Sequence, residues 1–280
     1  VFFDLDYVSM LLSSSVLLIL FLRILPSLNR ILYNYSQIKY ATEPICAIHK
    51  LLNLVGAKSK NRKINLNNKI NLENVTFSYI ENHNLIQNLS VSINKNFKVG
   101  IIGETGSGKS TLVDLISGLK LPKSGSILID GEKIDDQNKK GWMENIAYIP
   151  QRVFLFNASL RHNICLQSDD ENIDDTKFNS VLKIAGLTEF VKSKTEKELF
   201  NLGEFGKNVS GGQRQKIGIA RALYSERPIV IFDETTNSLD KEAERKIINE
   251  IENIKNKTIL FITHNIENLK NFDEVYKIQE

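Results

Sequence analysis

The chain reads as an α/β protein with a largely parallel sheet, preceded by one membrane-crossing helix. Three observations predict this. Residues 7–22 form an uncharged apolar run, and short β-branched strands alternate with helices from Ile70 onward. Two of those strands, Ile229–Phe232 and Thr258–Ile262, are almost wholly apolar, as strands covered on both faces are. The 280 residues are 42% hydrophobic and 25% charged, enough for a sizeable core in one or two domains. Charge is uneven: residues 1–65 hold eight Lys/Arg against three Asp/Glu, so the net +3 sits in the first quarter and the remainder is at −2. A nucleic-acid protein carries its basic face on the working domain, so nucleic acid is not expected as a partner. Cys46 and Cys165 stand far apart with no CxxC, which predicts neither a disulfide framework nor a zinc site.

Taken in order, the first element is the span. Tyr7 to Leu22 carries no charge, and Ile24 and Leu25 extend the run past Arg23, whose stem can reach the headgroups. A secretory signal opens on positive charge and closes on a small-residue cleavage site. Here Asp4 and Asp6 precede the run and Pro26 follows it, so the signal reading fails. Acidic residues before the run, and Arg23, Arg30, Lys39 and Lys50 after it, place the C-terminal side in the cytosol. Pro26 is expected to kink or restart the helix. Leu28, Ile31, Leu32 and Tyr35, then Ile45, Ile48, Leu51 and Leu52, continue at helical spacing as a cytosolic extension to residue 57. The polar run Lys58–Lys63 opens a linker over 58–69. With a single span and Val1 at its start, the chain is expected to be a piece of something longer.

The body, residues 70–280, follows. Val75–Tyr79, Leu89–Ile93, Val99–Ile102, Ser126–Ile129 and Ile146–Ile149 read as strands, and Lys109–Ser117 as a helix. Ser159–Lys197 reads as mostly helical, within a helical subdomain of about 152–225. Gly211–Tyr224 and Lys241–Asn253 are amphipathic helices.

The strand Val99–Ile102 runs into Gly103-Glu104-Thr105-Gly106-Ser107-Gly108-Lys109-Ser110, which matches GxxxxGK[ST] in the strand–loop–helix setting that motif requires. The glycines let backbone N–H groups turn inward onto phosphate oxygens, and the following helix adds its positive dipole end. Lys109 is expected on the β- and γ-phosphates, the Ser110 hydroxyl on Mg²⁺, and Thr111 on a further phosphate oxygen.

Further segments follow in a fixed order: Gln151 after the strand Tyr148-Ile-Pro, then Val209-Ser210-Gly211-Gly212-Gln213, Ile229-Val-Ile-Phe-Asp233-Glu234, Asn237-Ser238-Leu-Asp240, and Ile262-Thr-His264. Together with the phosphate loop they resemble the nucleotide-binding domain of ABC transporters, from about Ile70 to the C-terminus. The resemblance implies a P-loop NTPase fold: a RecA-like core, a helical subdomain and an antiparallel β subdomain. It implies ATP and Mg²⁺ as cofactors. Gln151 would contact the metal and sense the γ-phosphate, and Asp233 would support the metal through water. Glu234 would be the general base and His264 the brace for the γ-phosphate and the attacking water. Tyr79 would stack on adenine. Ser210, Gly211, Gly212 and Gln213 would grip nucleotide held by a second ABC subunit, and complete motifs favour a homodimer with two equivalent sites. Two adjacent acids ending an extended strand point opposite ways, which lets one face the metal and the next the water.

The sequence departs from the family in three places. Val209 replaces Leu at the head of the signature, and Glu226-Arg-Pro228 leads into the second carboxylate strand. Asn237-Ser238 replaces Ser-Ala, which is expected to touch coupling but not phosphate chemistry. A membrane helix fused ahead of the ATPase, the Gln151–Ile164 segment and Gly203-Glu-Phe-Gly206 are similar to exporters. Leu22–Ile31 and Asp273–Ile278 are similar to bacterial lipid-linked oligosaccharide flippases, which implies a lipid-linked cargo. The alternative is a soluble ABC ATPase of DNA repair or translation, but the chain carries no coiled-coil insertion and no tandem cassette. His49, His83 and His162 have no partner at metal spacing and receive no role.

Overall fold

The computed structural model describes residues 2–55, 62–80, 84–104, 106–167 and 173–278. Residues 58–61 of the expected linker and Thr105 of the expected cradle lie outside them. The chain divides into two units, Val1–Ser59 and Lys60–Glu280.

The first unit is one helix, α1 (Phe2–Val55, 54 residues). At ~1.5 Å per residue it is about 80 Å long, against roughly 30 Å of hydrocarbon in a bilayer. Within Ser9–Leu52 an 18-residue window reaches a mean hydropathy of 2.1, which makes it a candidate membrane span by length and composition. The hydroxyls of Ser13, Ser14 and Ser15 donate to the Ser9, Met10 and Leu12 carbonyls, each at 2.8 Å. That satisfies them inside an apolar run without water. The expected restart at Pro26 does not occur: helix continues through both Pro26 and Pro44. Each proline deletes one N–H bond, and the bonds of the flanking turns carry the helix across.

The second unit is built on two sheets. One is antiparallel, in the order β2-β1-β4-β5, from β1 (Lys69–Phe77), β2 (Ile86–Asn94), β4 (Ser124–Ile129) and β5 (Glu132–Lys133). Asp130 and Gly131, both at positive φ, turn β4 into β5, as a two-residue hairpin requires. The other sheet has the order β6-β7-β8-β3-β9 and all its pairings are parallel. Its strands are β3 (Lys98–Ile102), β6 (Ile146–Ile149), β7 (Ile229–Asp233), β8 (Thr258–Ile262) and β9 (Glu274–Lys277).

The central strands β7 and β8 are buried at every position, and their alternation splits them between two cores. Val230, Phe232, Ile259 and Phe261 pack towards the helices α7 (Gly211–Tyr224) and α8 (Lys241–Glu252). Ile229, Ile231, Leu260 and Ile262 pack with α2 (Lys109–Ile116), the antiparallel sheet and Trp142 of α3 (Lys139–Met143). Ile64 and Leu66, expected in a linker, are 4% exposed and belong to this second core. Two apolar side chains in a polar stretch anchor it, and Asp130 fixes the next turn by accepting from the backbone N–H of Asn67, Asn68 and Lys69 at 2.6 to 2.8 Å.

The stretch Ser159–Lys197 is helical but broken, into α4 (Leu160–Cys165), α5 (Asp175–Ile184) and α6 (Thr188–Lys192). Leu166 and Gly186, both at positive φ, mark breaks, and Ser159 and Asp174 cap the helices that follow them.

Candidate active site

Parallel pairing sends the C-terminal ends of β6, β7, β8 and β3 to one edge of the sheet. The residues at or just after those ends are Gln151, Asp233-Glu234, His264 and the loop that opens at Gly103, so strand topology alone gathers them. Gln151, Asp233, Glu234 and part of the loop line a cleft of about 320 Å³ with Leu85, Lys109, Ser110 and Thr111, whereas His264 lines a second pocket with Gly103, Glu104 and Ser107.

The loop is shaped for a close anionic guest. Gly108 caps α2 at φ 91 with no side-chain hydrogen bond, leaving the first N–H groups of the helix directed outward. A Cβ on Gly103 would lie 2.6 Å from Ser107 Oγ and 2.9 Å from the Ile278 carbonyl, so no side chain fits there. Lys109 is 5% exposed; its Nζ donates to the carbonyls of Gly103 and Glu104 at 2.9 and 2.6 Å and lies 3.8 Å from Glu234 Oε1. Ser107 Oγ is buried with no hydrogen-bond partner among the described residues.

Asp233 ends β7 with 5% exposure, and burial pushes its carboxyl above the usual range while the Tyr148 and Ser110 hydroxyls pull it back. Tyr148 donates to Asp233 Oδ2 at 2.7 Å, and burial followed by that carboxylate raises the phenol far above its ordinary value. Glu234 leaves the strand in the left-handed region, at φ 50. That conformation costs energy for a non-glycine residue, and the bond from Glu234 N–H to the Ile262 carbonyl at 3.1 Å helps hold it. The two acids do divide, but not through extended alternation as expected: the turn at Glu234 swings its carboxylate towards β8.

There Glu234 Oε1 meets His264 Nε2 at 2.6 Å, and Oε2 accepts from Gln151 Nε2 and Asn237 Nδ2, each at 3.2 Å. His264 Nδ1 lies 3.1 Å from the Gly103 carbonyl. A carbonyl only accepts, so this contact suits the tautomer with its proton on Nδ1 and directs Nε2 at the Glu234 carboxylate. Imidazole and carboxylate thus stand in direct contact, with Lys109 Nζ 3.8 Å from the same carboxylate oxygen.

Tyr79 is 60% exposed, so it is not a core residue. Its hydroxyl lies 3.1 Å from Thr111 Oγ1 and accepts from Lys120 Nζ, which also sits 4.3 Å above its ring. The Lys120 bond, then the Thr111 bond, holds the phenol below its ordinary range.

The segment Ser210–Gln213 is elsewhere. Ser210 Oγ accepts from Gln213 N–H at 3.2 Å and Gln213 Oε1 accepts from Ser210 N–H at 2.9 Å, a capping box at the start of α7. Among the described residues that line the cleft, none comes from Ser210, Gly211, Gly212 or Gln213. Two participants escaped the sequence reading. Tyr148 is signalled only as a polar-tipped residue at the end of an apolar strand. Asn237, expected to touch coupling but not phosphate chemistry, donates to the Glu234 carboxylate.

The donor set suits a hard cation shared with phosphate. Ser110, Asp233 and Gln151 offer oxygens only, and Mg²⁺ takes one or two carboxylates plus phosphate and water. Among the described residues no group of three or more His, Cys, Asp or Glu forms a self-sufficient metal site.

Comparison with known proteins bears on this geometry. The ABC transporter family model matches residues 86–237. A putative export ATP-binding/permease protein of Rickettsia felis is 33% identical over 85% of this chain and 42% of its own length. An ATP-dependent lipid A-core flippase of Pseudoalteromonas translucida is 37% identical over 75% of this chain and 36% of its own. The chain thus spans about two fifths of the length of the curated relatives it matches. A bacterial Atm1-family ABC exporter, solved with ATP bound, shares the fold at a TM-score of 0.74, with 24% identity over 85% of this chain and 43% of that one. The chain belongs to the ABC transporter family.

Proposed function

We propose that this chain is the ATP-hydrolysing part of an ABC exporter or flippase subunit. Residues 1–57 supply a last membrane helix and its cytosolic extension, 58–69 a linker, and 70–280 the nucleotide-binding domain facing the cytosol. The observation that carries the reading is the Glu234–His264 contact of 2.6 Å beside Lys109, at the edge where four parallel strands end.

On this reading ATP lies in the Gly103–Thr111 cradle, Thr105 included, with Tyr79 on its adenine and Lys109 on its terminal phosphates. Ser110, Asp233 and Gln151 would hold Mg²⁺, which would supply charge neutralisation to the phosphates when bound. Glu234 accepts the proton of the attacking water, and His264 keeps the carboxylate aimed and braces the γ-phosphate. Phosphoryl transfer needs positioning and charge more than covalent help, which is what these residues offer. Ser210, Gly211, Gly212 and Gln213 complete the site of a second copy, making a homodimer with two equivalent sites. Gln151 and the Gly203–Gly206 segment pass closure to membrane helices. Two relatives named as lipid A-core flippases support a lipid-linked cargo.

The test is Glu234→Gln. Losing a general base costs about 10²–10⁴-fold in rate, so phosphate release is expected to fall by that much while ATP still binds. Wild-type turnover by this variant would contradict the role.

A further inference from the structure

Glu244 does not line the cleft, yet it joins the two segments that carry Glu234 and His264. It stands in the first turns of α8. Its Oε1 accepts from Thr236 Oγ1 at 2.7 Å and from Asn268 Nδ2 at 2.8 Å. Thr236 follows Glu234 by two residues, and Asn268 follows His264 by four. Both donors are nearly sealed from solvent, at 1% and 7% exposure. Asn268 Oδ1 in turn accepts from Asn265 Nδ2 at 3.4 Å, and the Asn265 N–H is held by Thr263 Oγ1 at 3.1 Å, so both neighbours of His264 are tied into the same chain of bonds.

The other acids near the start of α8 are committed elsewhere. Asp240 caps the helix by accepting from Ala243 N–H, and Glu242 pairs on the surface with Lys246. Glu244 alone among these three turns inward. A carboxylate accepting from two buried donors makes stronger bonds than a neutral acceptor does. The backbone it steadies includes Glu234, held at φ 50, whose contact with His264 depends on the spacing of these two segments.

We propose that Glu244 is a positioning residue: one carboxylate oxygen clasps the Thr236 and Asn268 segments and so fixes the distance between Glu234 and His264. It acts through them and touches no reacting atom. The inference rests on the ATPase reading above, and its test separates the two.

The experiment measures kcat and KM for ATP of this chain in detergent. Glu244→Ala is expected to lower kcat about tenfold or more while KM stays within about threefold, since the cradle is untouched. Glu244→Gln keeps an oxygen for both donors and is expected to stay within about threefold of wild type. In a His264→Ala background, Glu244→Ala should cost nothing further, because the clasp has lost the contact it serves. Thr236→Val and Asn268→Ala each cut one arm, and each should lower kcat without raising KM, which carries the test if Glu244→Ala does not fold. An unchanged kcat in the arm-cutting variants, a rise in KM matching the fall in kcat, a Gln variant as poor as Ala, or full additivity with His264→Ala would overturn the clasp. A wild-type chain that releases no phosphate would instead overturn the ATPase reading.

Discussion

Two helices in this chain begin with groups suited to phosphate, and they begin differently. At α2 the N-cap is Gly108, no side chain occupies the helix start, and Lys109, Asp233, Glu234 and Gln151 from the same chain enclose the space in front of it. At α7 the N-cap is Ser210, locked with Gln213 in a capping box, and none of the four residues Ser210–Gln213 lines that space. The first helix start has its chemistry around it. The second has rigidity and its leading N–H groups, those of Gly211 and Gly212, with the chemistry elsewhere. A pre-organised donor set with nothing of its own to act on is what half of a shared site looks like, and this contrast underlies the proposal of a paired molecule.

The comparison is broken most sharply at its two poles. Lys109→Ala removes the buried cation of the cradle, and Ser210→Arg fills the mouth of α7; each is expected to abolish cooperative ATP hydrolysis. They should differ in binding, with Lys109→Ala losing most nucleotide affinity and Ser210→Arg keeping it, as equilibrium titration with labelled ATP would read. Equal loss of binding in both would place Ser210 within the same chain's site.

A smaller effect belongs to the cradle side alone. Tyr79→Ala should weaken ATP binding by roughly tenfold, since stacking of a base on an aromatic is worth about 1–3 kcal/mol. Its kcat at saturation should change little, because the contacts of Tyr79 run to Phe77, Thr111 and Lys120. A fall in kcat with unchanged affinity would count against the adenine role.

The smallest belongs to α7. Gln213→Ala opens the capping box and should lower stability by ~0.5–1 kcal/mol, visible in denaturant melts, without altering nucleotide affinity of the isolated cradle. A loss well above that would give Gln213 a packing role beyond the cap.

Much of this is legible in the amino-acid sequence. Glycine spacing and a flanking strand placed the cradle, and unbroken apolar runs placed β7 and β8, because burial on both faces leaves no polar positions to obscure the pattern. What escaped depends on chain geometry that residue type does not announce. The left-handed turn at Glu234 is set by its bond to the Ile262 carbonyl, across a strand pairing. Tyr148 reaches Asp233 only because β6 lies beside β7. Ile64 and Leu66 sit in a polar run that reads as linker, yet two apolar residues suffice to pin it. Pro26 reads as a kink or a restart, and the restart does not occur because one missing N–H does not stop a helix whose neighbouring bonds persist.

The central claim is that each ATP is held by the cradle of one copy and the α7 start of another. Mixing Lys109→Ala chains with Ser210→Arg chains tests it directly, because the mixed pair contains one site built wholly from unaltered halves. The account predicts that two inactive preparations regain phosphate release on mixing, in proportion to the mixed pairs formed. If every mixture stays as inactive as its components while mixed pairs are seen to assemble, the shared site is wrong.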